Sequence, residues 1–338
     1  AYDRFLLSDP NPFPFPHPFD KVEFMVGGEE YVSWFADWFK SSLPEKKVIS
    51  YVVGFSGAGK SHLLGHLQFL MNEQGVLPGV FTTYEAGRSP FESKELWYRF
   101  FSHSLVRTRI GSLLPREERE FLDLPRTVRE ALLGLLSGEK SVYDLQEEVF
   151  RDSLKTLSGI LTSKNLGMCI AIDNLDEHIR FMREKLDLKT VVDRLTGLLR
   201  DMTLGVRQIA ILLACTTEVY QEISETPADM TFLRRVEGQD IRLRELSLSQ
   251  SLEVVGRYLE SWASKRGLSV PEDVDCQVEG TEPFSIYPIS CKAVRYFYEM
   301  TRKYAGDIVA LSSSYVDVLQ RNKRCLLYTS PSPRDRTR

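Results

Sequence analysis

The sequence predicts a three-layer α/β fold: a five-stranded parallel sheet covered on both faces by helices, followed by a small helical lid. Short apolar runs alternate with stretches of helical spacing across residues 27–246, the pattern of strands joined by helical crossovers. The runs are apolar throughout, as strands buried on both faces are. From residue 247 to 324 the helical spacing continues without another strand.

Each element follows in order. Residues 10–19, PNPFPFPHPF, carry proline at every even position, which excludes helix and central strand and predicts an extended, polyproline-like arm over residues 1–26. Aromatic side chains exposed on such an arm rarely stand free, so Phe13, Phe15 and Phe19 are expected to pack on the core or on a neighbouring subunit. Residues 29–40 have the spacing of an amphipathic helix. VISYVV (48–53) is a β-branched run that predicts a buried strand ending at Gly54, with a helix over 60–74 after it. GVFTTY (79–84) is the second strand, and residues 92–162 read as a helical insert broken near Pro115, Pro125 and Gly138. MCIAI (168–172) is the third strand and a single long helix is expected over 176–203. RQIAILLAC (207–215) and QDIRLREL (239–246) are the fourth and fifth strands. Helices over 248–266 and 288–320 make up the lid, residues 247–324.

The 338 residues are 43% hydrophobic and 27% charged, a composition that excludes a disordered chain, a collagen-like repeat and a coiled coil. No apolar run approaches the roughly 18 residues of a membrane helix, so no membrane partner is expected. A net charge of -4 argues against a chain that coats nucleic acid nonspecifically. Cys169, Cys215, Cys276 and Cys291 form no C-x-x-C pair and are expected to be buried reduced thiols of a cytoplasmic protein. The CLLYTSPSPRDRTR tail resembles a translated sequencing-library adapter over 325–335. Residues 325–338 are therefore read as non-native, and the chain, which starts at Ala1, as a metagenomic fragment that naturally continues past residue 324.

Gly54-Phe55-Ser56-Gly57-Ala58-Gly59-Lys60-Ser61 fits G-x-x-x-x-G-K-[ST] at every fixed position, between an expected strand and an expected helix. The glycines let the backbone turn tightly, so that successive N–H groups face a phosphate at the helix's positive end. Lys60 is placed to reach the β- and γ-phosphate oxygens, and the Ser61 hydroxyl to bind Mg²⁺. His62, next along, is expected near the nucleotide; its i,i+4 partner His66 gives a zinc-like spacing, but Leu63 stands where a metalloprotease needs Glu. The loop half resembles a G-x-S-x-G nucleophile elbow, which Ala58 breaks. A P-loop also needs an acid at a nearby strand tip to organise Mg²⁺, and Asp173, emerging from MCIAI, supplies it.

These two motifs, a strand between them, the later strands and the helical end resemble the AAA+ P-loop ATPases. More narrowly they resemble the origin-recognition and initiator-loader clade and related STAND-type signalling ATPases, over residues 20–320. The resemblance implies ATP and Mg²⁺ as ligands, with Ser61 and Asp173 on the metal. The family has Asp-Glu at the strand tip, the Glu polarising the attacking water; here Asn174 holds that place, which leaves Asp176 or Glu177 as the water-activating carboxylate. The family's sensor residue falls on Thr216 or Thr217, and its trans-acting arginine on Arg234 or Arg235. Two family features are missing. Gly27-Gly28-Glu29-Glu30 lacks the Arg of a Gly-Arg-Glu-Glu element, and Ala305-Gly306-Asp307-Ile308 lacks the Arg of the lid, for which Arg302 is a poor substitute.

The reading is a slow AAA+-like ATPase that couples nucleotide state to contacts in a homo-oligomer, in a DNA-associated process with DNA bound through the missing C-terminal part. The alternative is a STAND-type switch with little turnover that recruits a protein effector. The Arg- and Glu-rich stretch 107–130 reads as a solvated helical face.

Overall fold

The computed structural model describes residues 11–13, 22–45, 49–86, 126–137, 139, 144, 146–203, 206–226, 240–269 and 289–321. The described chain divides into two compact units: residues 28–55 with 60–243, and residues 1–27 with 56–59 and 244–338.

The first unit is the expected α/β fold. Its five strands are β1 (Ile49–Val53), β2 (Gly79–Glu85), β3 (Gly167–Asp173), β4 (Ile209–Cys215) and β5 (Ile241–Arg242). They form one parallel sheet in the order β2-β3-β4-β1-β5. Every residue of β1, β3 and β4 is buried, which is why those runs carry no polar alternation. Helix α1 (Glu29–Glu45) begins with Glu29 and Glu30 in its first turn, where acids favour the positive helix end. Its buried Phe35 meets Phe81 of β2 edge to face at 5.7 Å.

Helix α2 (Lys60–Asn72) buries Leu63, Leu64, Leu67 and Met71. It also covers the outer edge of β2, whose backbone would otherwise be unpaired. Asn72 exchanges both hydrogen bonds with Phe81, Nδ2 to the carbonyl at 2.7 Å and Oδ1 from the N–H at 2.9 Å. Gln68 Oε1 accepts from the Thr83 N–H at 3.1 Å. Of the insert, α3 (Arg126–Ser137) and α4 (Glu147–Ser163) are described. Arg126 is exposed and paired with Glu130 at 2.8 Å, and the rest of the Arg- and Glu-rich stretch, 107–125, lies outside the described residues.

The long helix expected over 176–203 is two helices, α5 (Leu175–Arg183) and α6 (Leu188–Thr203). The break is a capping event. Asp187 accepts from the Thr190 N–H at 2.9 Å and the Thr190 hydroxyl at 2.6 Å, starting a new helix where apolar spacing alone runs on. Helix α7 (Thr217–Glu225) follows β4. The fifth strand is also shorter than its expected 239–246. Leu243 N–H still reaches the Val53 carbonyl at 2.8 Å, and the unit ends there.

The second unit is helical: α8 (Leu248–Ser264), α9 (Cys291–Met300) and α10 (Ala305–Arg321). Ser247 opens α8 with a capping box to Gln250. The single helix expected over 288–320 breaks at 301–304, where Lys303 takes a left-handed φ of 63°. Phe13 is fully buried here and stacks on Tyr258 at 5.7 Å, and Asn11 Nδ2 donates to Asp317 at 2.7 Å. Phe13 thus packs as expected of an aromatic on the arm, whereas Phe15 and Phe19 lie outside the described residues. Within this unit the Gly306 N–H donates to the Gly57 carbonyl at 3.1 Å, and Arg302 pairs with Asp307 at 3.3 Å.

Cys169 and Cys215 are buried and free, and burial pushes both thiols up. Cys291 is disulfide-bonded, against the expectation of four reduced thiols. Among the described residues no helix is long and apolar enough to cross a membrane.

Candidate functional site

Ligands of open α/β sheets bind outside the carboxyl ends of the strands. At that edge β1, β4, β3 and β2 end in Val53, Cys215, Asp173 and Glu85. The residues next in the chain are Gly54, Thr216, Asn174 and Ala86.

Gly54 still belongs to the sheet, its N–H donating to the Cys215 carbonyl at 3.3 Å. The chain then turns through Phe55, Ser56, Gly57, Ala58 and Gly59. Gly57 and Gly59 hold φ of +84° and +95°, a region where an L side chain is strained, so the motif needs glycine at both. Lys60 opens α2, and its Nζ donates back to the carbonyls of Gly54 at 2.9 Å and Phe55 at 3.1 Å. Neutral carbonyls are weaker partners for an ammonium than a phosphate oxygen, so an arriving phosphate competes well for it.

The Ser61 hydroxyl acts on the Asp173 carboxylate. Asp173 is only 2% exposed, and burial pushes its carboxyl above the ordinary range. The Ser61 hydroxyl, the Asn174 N–H at 2.9 Å and the Lys60 charge pull it part of the way back, while the Glu85 charge pushes it up. Ser61 and Asp173 are adjacent hard oxygen donors, and the carboxylate is short of counter-charge. Mg²⁺ takes one or two carboxylates and keeps its other positions for water and substrate phosphate, so this pair fits it. Among the described residues no group of three or more His, Cys, Asp or Glu converges as a metal site. His62 and His66 are half-buried on α2.

The remaining sequence candidates separate. Asp176 Oδ1 accepts from the Thr216 N–H at 2.6 Å, so its carboxylate ties the first turn of α5 to the tip of β4. Thr216 is the N-cap of α7, its hydroxyl accepting from the Val219 N–H at 3.5 Å, and Thr217 is the first helical residue. Glu177 is exposed on α5. Arg234 and Arg235 lie outside the described residues.

One residue was missed from the sequence. Glu85 is the last residue of β2, paired in register with Asp173. Asn174, held left-handed at φ 55°, donates from Nδ2 to Glu85 Oε1 at 3.1 Å. The expected strand stopped at Tyr84, which left Glu85 in a loop with no assigned neighbour. Its only signal was an acid at the end of an apolar run.

No protein-family model and no curated protein matches the chain. Similar solved structures include Cdc6p from Pyrobaculum aerophilum, at 13% identity and TM-score 0.43, over 94% of this chain and 66% of that one. The Aeropyrum pernix ORC2 protein in its ADPNP-ADP complexes is 15% identical at TM-score 0.43, over 76% of this chain and 55% of that one. PCH-2 of C. elegans is 12% identical at TM-score 0.36, over 87% and 68%. The chain thus spans less than two thirds of the first two. TM-scores this low carry no functional weight.

Proposed function

We propose that the chain binds Mg-ATP at the edge formed by β1, β3 and β4 and hydrolyses it slowly, as an AAA+-like ATPase that couples nucleotide state to contacts between its own copies. The observation that supports binding is the convergence of Lys60 and Ser61 on Asp173. The Ser61 hydroxyl and the Lys60 charge both act on that carboxylate, although Asp173 comes from a strand far along the sequence. A glycine turn at φ +84° and +95° leads directly into the helix that carries both residues.

In this reading the turn's N–H groups and the helix start hold the phosphates. Lys60 releases its two carbonyls and neutralises charge on the transferring phosphoryl group. Ser61 and Asp173 would hold Mg²⁺, which would supply positive charge against the negative charge developing on the leaving group. Asp176, through the Thr216 N–H, fixes the tip of β4 between β1 and β3. The homo-oligomer and the role of Arg234 or Arg235 rest on the sequence resemblance, as does DNA as the client.

A STAND-type switch with a protein effector is the second reading, favoured by Asn174 where a carboxylate would abstract the proton. The test is ATP turnover per subunit against protein concentration, with and without duplex DNA, using Lys60→Ala as the blank. A rate that rises with concentration supports the oligomeric ATPase, and a further rise with DNA supports that client. Tight nucleotide binding with turnover equal to the blank supports the switch.

A further inference from the structure

We infer that Glu85 is the carboxylate that activates the attacking water, with Asn174 as its positioning residue; this rests on the ATPase reading above. Asn174 has no basic oxygen able to hold a proton at neutral pH, so any hydrolysis needs a carboxylate from elsewhere at the same edge. Three are near. Asp176 has Oδ1 engaged by the Thr216 N–H at 2.6 Å, and moving it to serve a water would release the tip of β4. Glu177 lies one position further round α5, on a helix rather than a strand, and like Glu85 is exposed.

Glu85 differs from both. Its register places it opposite Asp173, on the neighbouring strand of the same parallel ladder. Side chains in register on adjacent parallel strands leave the sheet in the same direction, about 4.8 Å apart. The ladder runs on past the pair, with the Ala86 N–H donating to the Asp173 carbonyl at 2.9 Å, so the position is fixed by backbone and not by a free loop. The charges of Glu85 and Lys60 both act on Asp173. Buried His178, with Nδ1 3.1 Å from the Ala86 carbonyl, anchors the chain just after Glu85 to α5.

The Asn174 amide engages one Glu85 oxygen at 3.1 Å. The other oxygen accepts from the water. As the water oxygen attacks the γ-phosphorus, its proton passes to Glu85 and the bond from phosphorus to the β,γ-bridging oxygen breaks. ADP leaves with that electron pair, and Glu85 returns the proton to the released phosphate. A carboxylate on the strand beside Asp173 thus performs the task that Asn174 cannot, and Asn174 orients it.

The test compares wild type, Glu85→Gln and Glu177→Gln for ATP binding and for single-turnover hydrolysis, with Lys60→Ala as the blank. Gln keeps the length of Glu and an acceptor oxygen for Asn174, so thermal unfolding is expected near wild type. The expected result is ATP affinity within threefold of wild type and hydrolysis lower by about 10²–10⁴-fold in Glu85→Gln, the share a general base contributes. Asn174→Ala, which loosens Glu85 without removing it, should show a smaller loss that falls on the hydrolysis step and not on affinity. Glu85→Gln hydrolysing at the wild-type rate overturns the inference. So does a Glu177→Gln loss as large as that of Glu85→Gln. Wild type that binds ATP but turns over no faster than the blank overturns the role of Glu85 and leaves nucleotide binding standing. Wild type that binds no ATP removes the ATPase reading itself.

Discussion

Exchanging glycine for alanine at two positions should have opposite consequences, and the structure supplies the sign of each. Gly59 holds φ +95° and a Cβ built on it meets nothing within 4 Å, so Gly59→Ala adds backbone strain and no collision. Holding an L-residue in a left-handed conformation costs roughly 1–2 kcal/mol. A short turn escapes that strain by relaxing out of its phosphate-holding shape. The cost should therefore appear as a smaller binding-competent fraction, with the apparent Kd rising in proportion, about 5–30-fold. Gly159 is the control. It lies within α4 at an ordinary helical φ, also with nothing within 4 Å of its Cβ. Gly159→Ala should stabilise by roughly 0.5–1 kcal/mol, because alanine loses less backbone entropy in a helix. Titration with a fluorescent ATP analogue reads the first effect and urea denaturation the second. Wild-type affinity in Gly59→Ala would refute the claim that this turn's conformation holds the phosphates.

Two further predictions concern the frame that carries the site. Ser158 on α4 is buried, with its hydroxyl donating to the Arg207 carbonyl at 2.5 Å and accepting from the Arg207 N–H at 2.6 Å, just before β4. Ser158→Ala leaves both backbone groups unpaired and should destabilise by about 1–3 kcal/mol in urea denaturation; a change near zero would contradict that bonding. Hydrogen bonds from the Thr190 side chain and backbone hold the Asp187 carboxyl below its ordinary value. Its contribution is therefore present above the unfolded carboxylate value and lost as pH falls through the lower folded one. The stability gap between wild type and Asp187→Ala should then be constant near neutrality and close below about pH 4. A gap unchanged by acid would mean that the carboxylate form does not cap α6.

The sheet was legible because its strands are buried on both faces, and a run such as IAILLAC admits few other readings. The glycine loop was legible because its chemistry fixes residue types at fixed spacing. Three features were not, each for a physical reason. Apolar periodicity continues smoothly across residues 184–187, and only the Asp187 side chain turning back to Thr190 ends one helix and starts the next. Phe13 was expected to pack, but its partner Tyr258 lies on α8, remote in sequence, and no local pattern names it. Glu85 is marked by strand register: its partners Asp173 and Asn174 lie nearly 90 positions along the chain, and no local pattern records the pairing.

The central claim is that the turn before α2, with Lys60, Ser61 and Asp173, holds Mg-ATP. Calorimetric titration of ATP tests it most directly, using wild type and Lys60→Ala, each with Mg²⁺ and with EDTA. Losing hydrogen bonds from a charged group, about 1.5–3 kcal/mol, should weaken binding roughly 10–150-fold in Lys60→Ala. Removing Mg²⁺ should weaken the wild type as well. Equal affinity in wild type and Lys60→Ala, or no difference between Mg²⁺ and EDTA, would contradict the account.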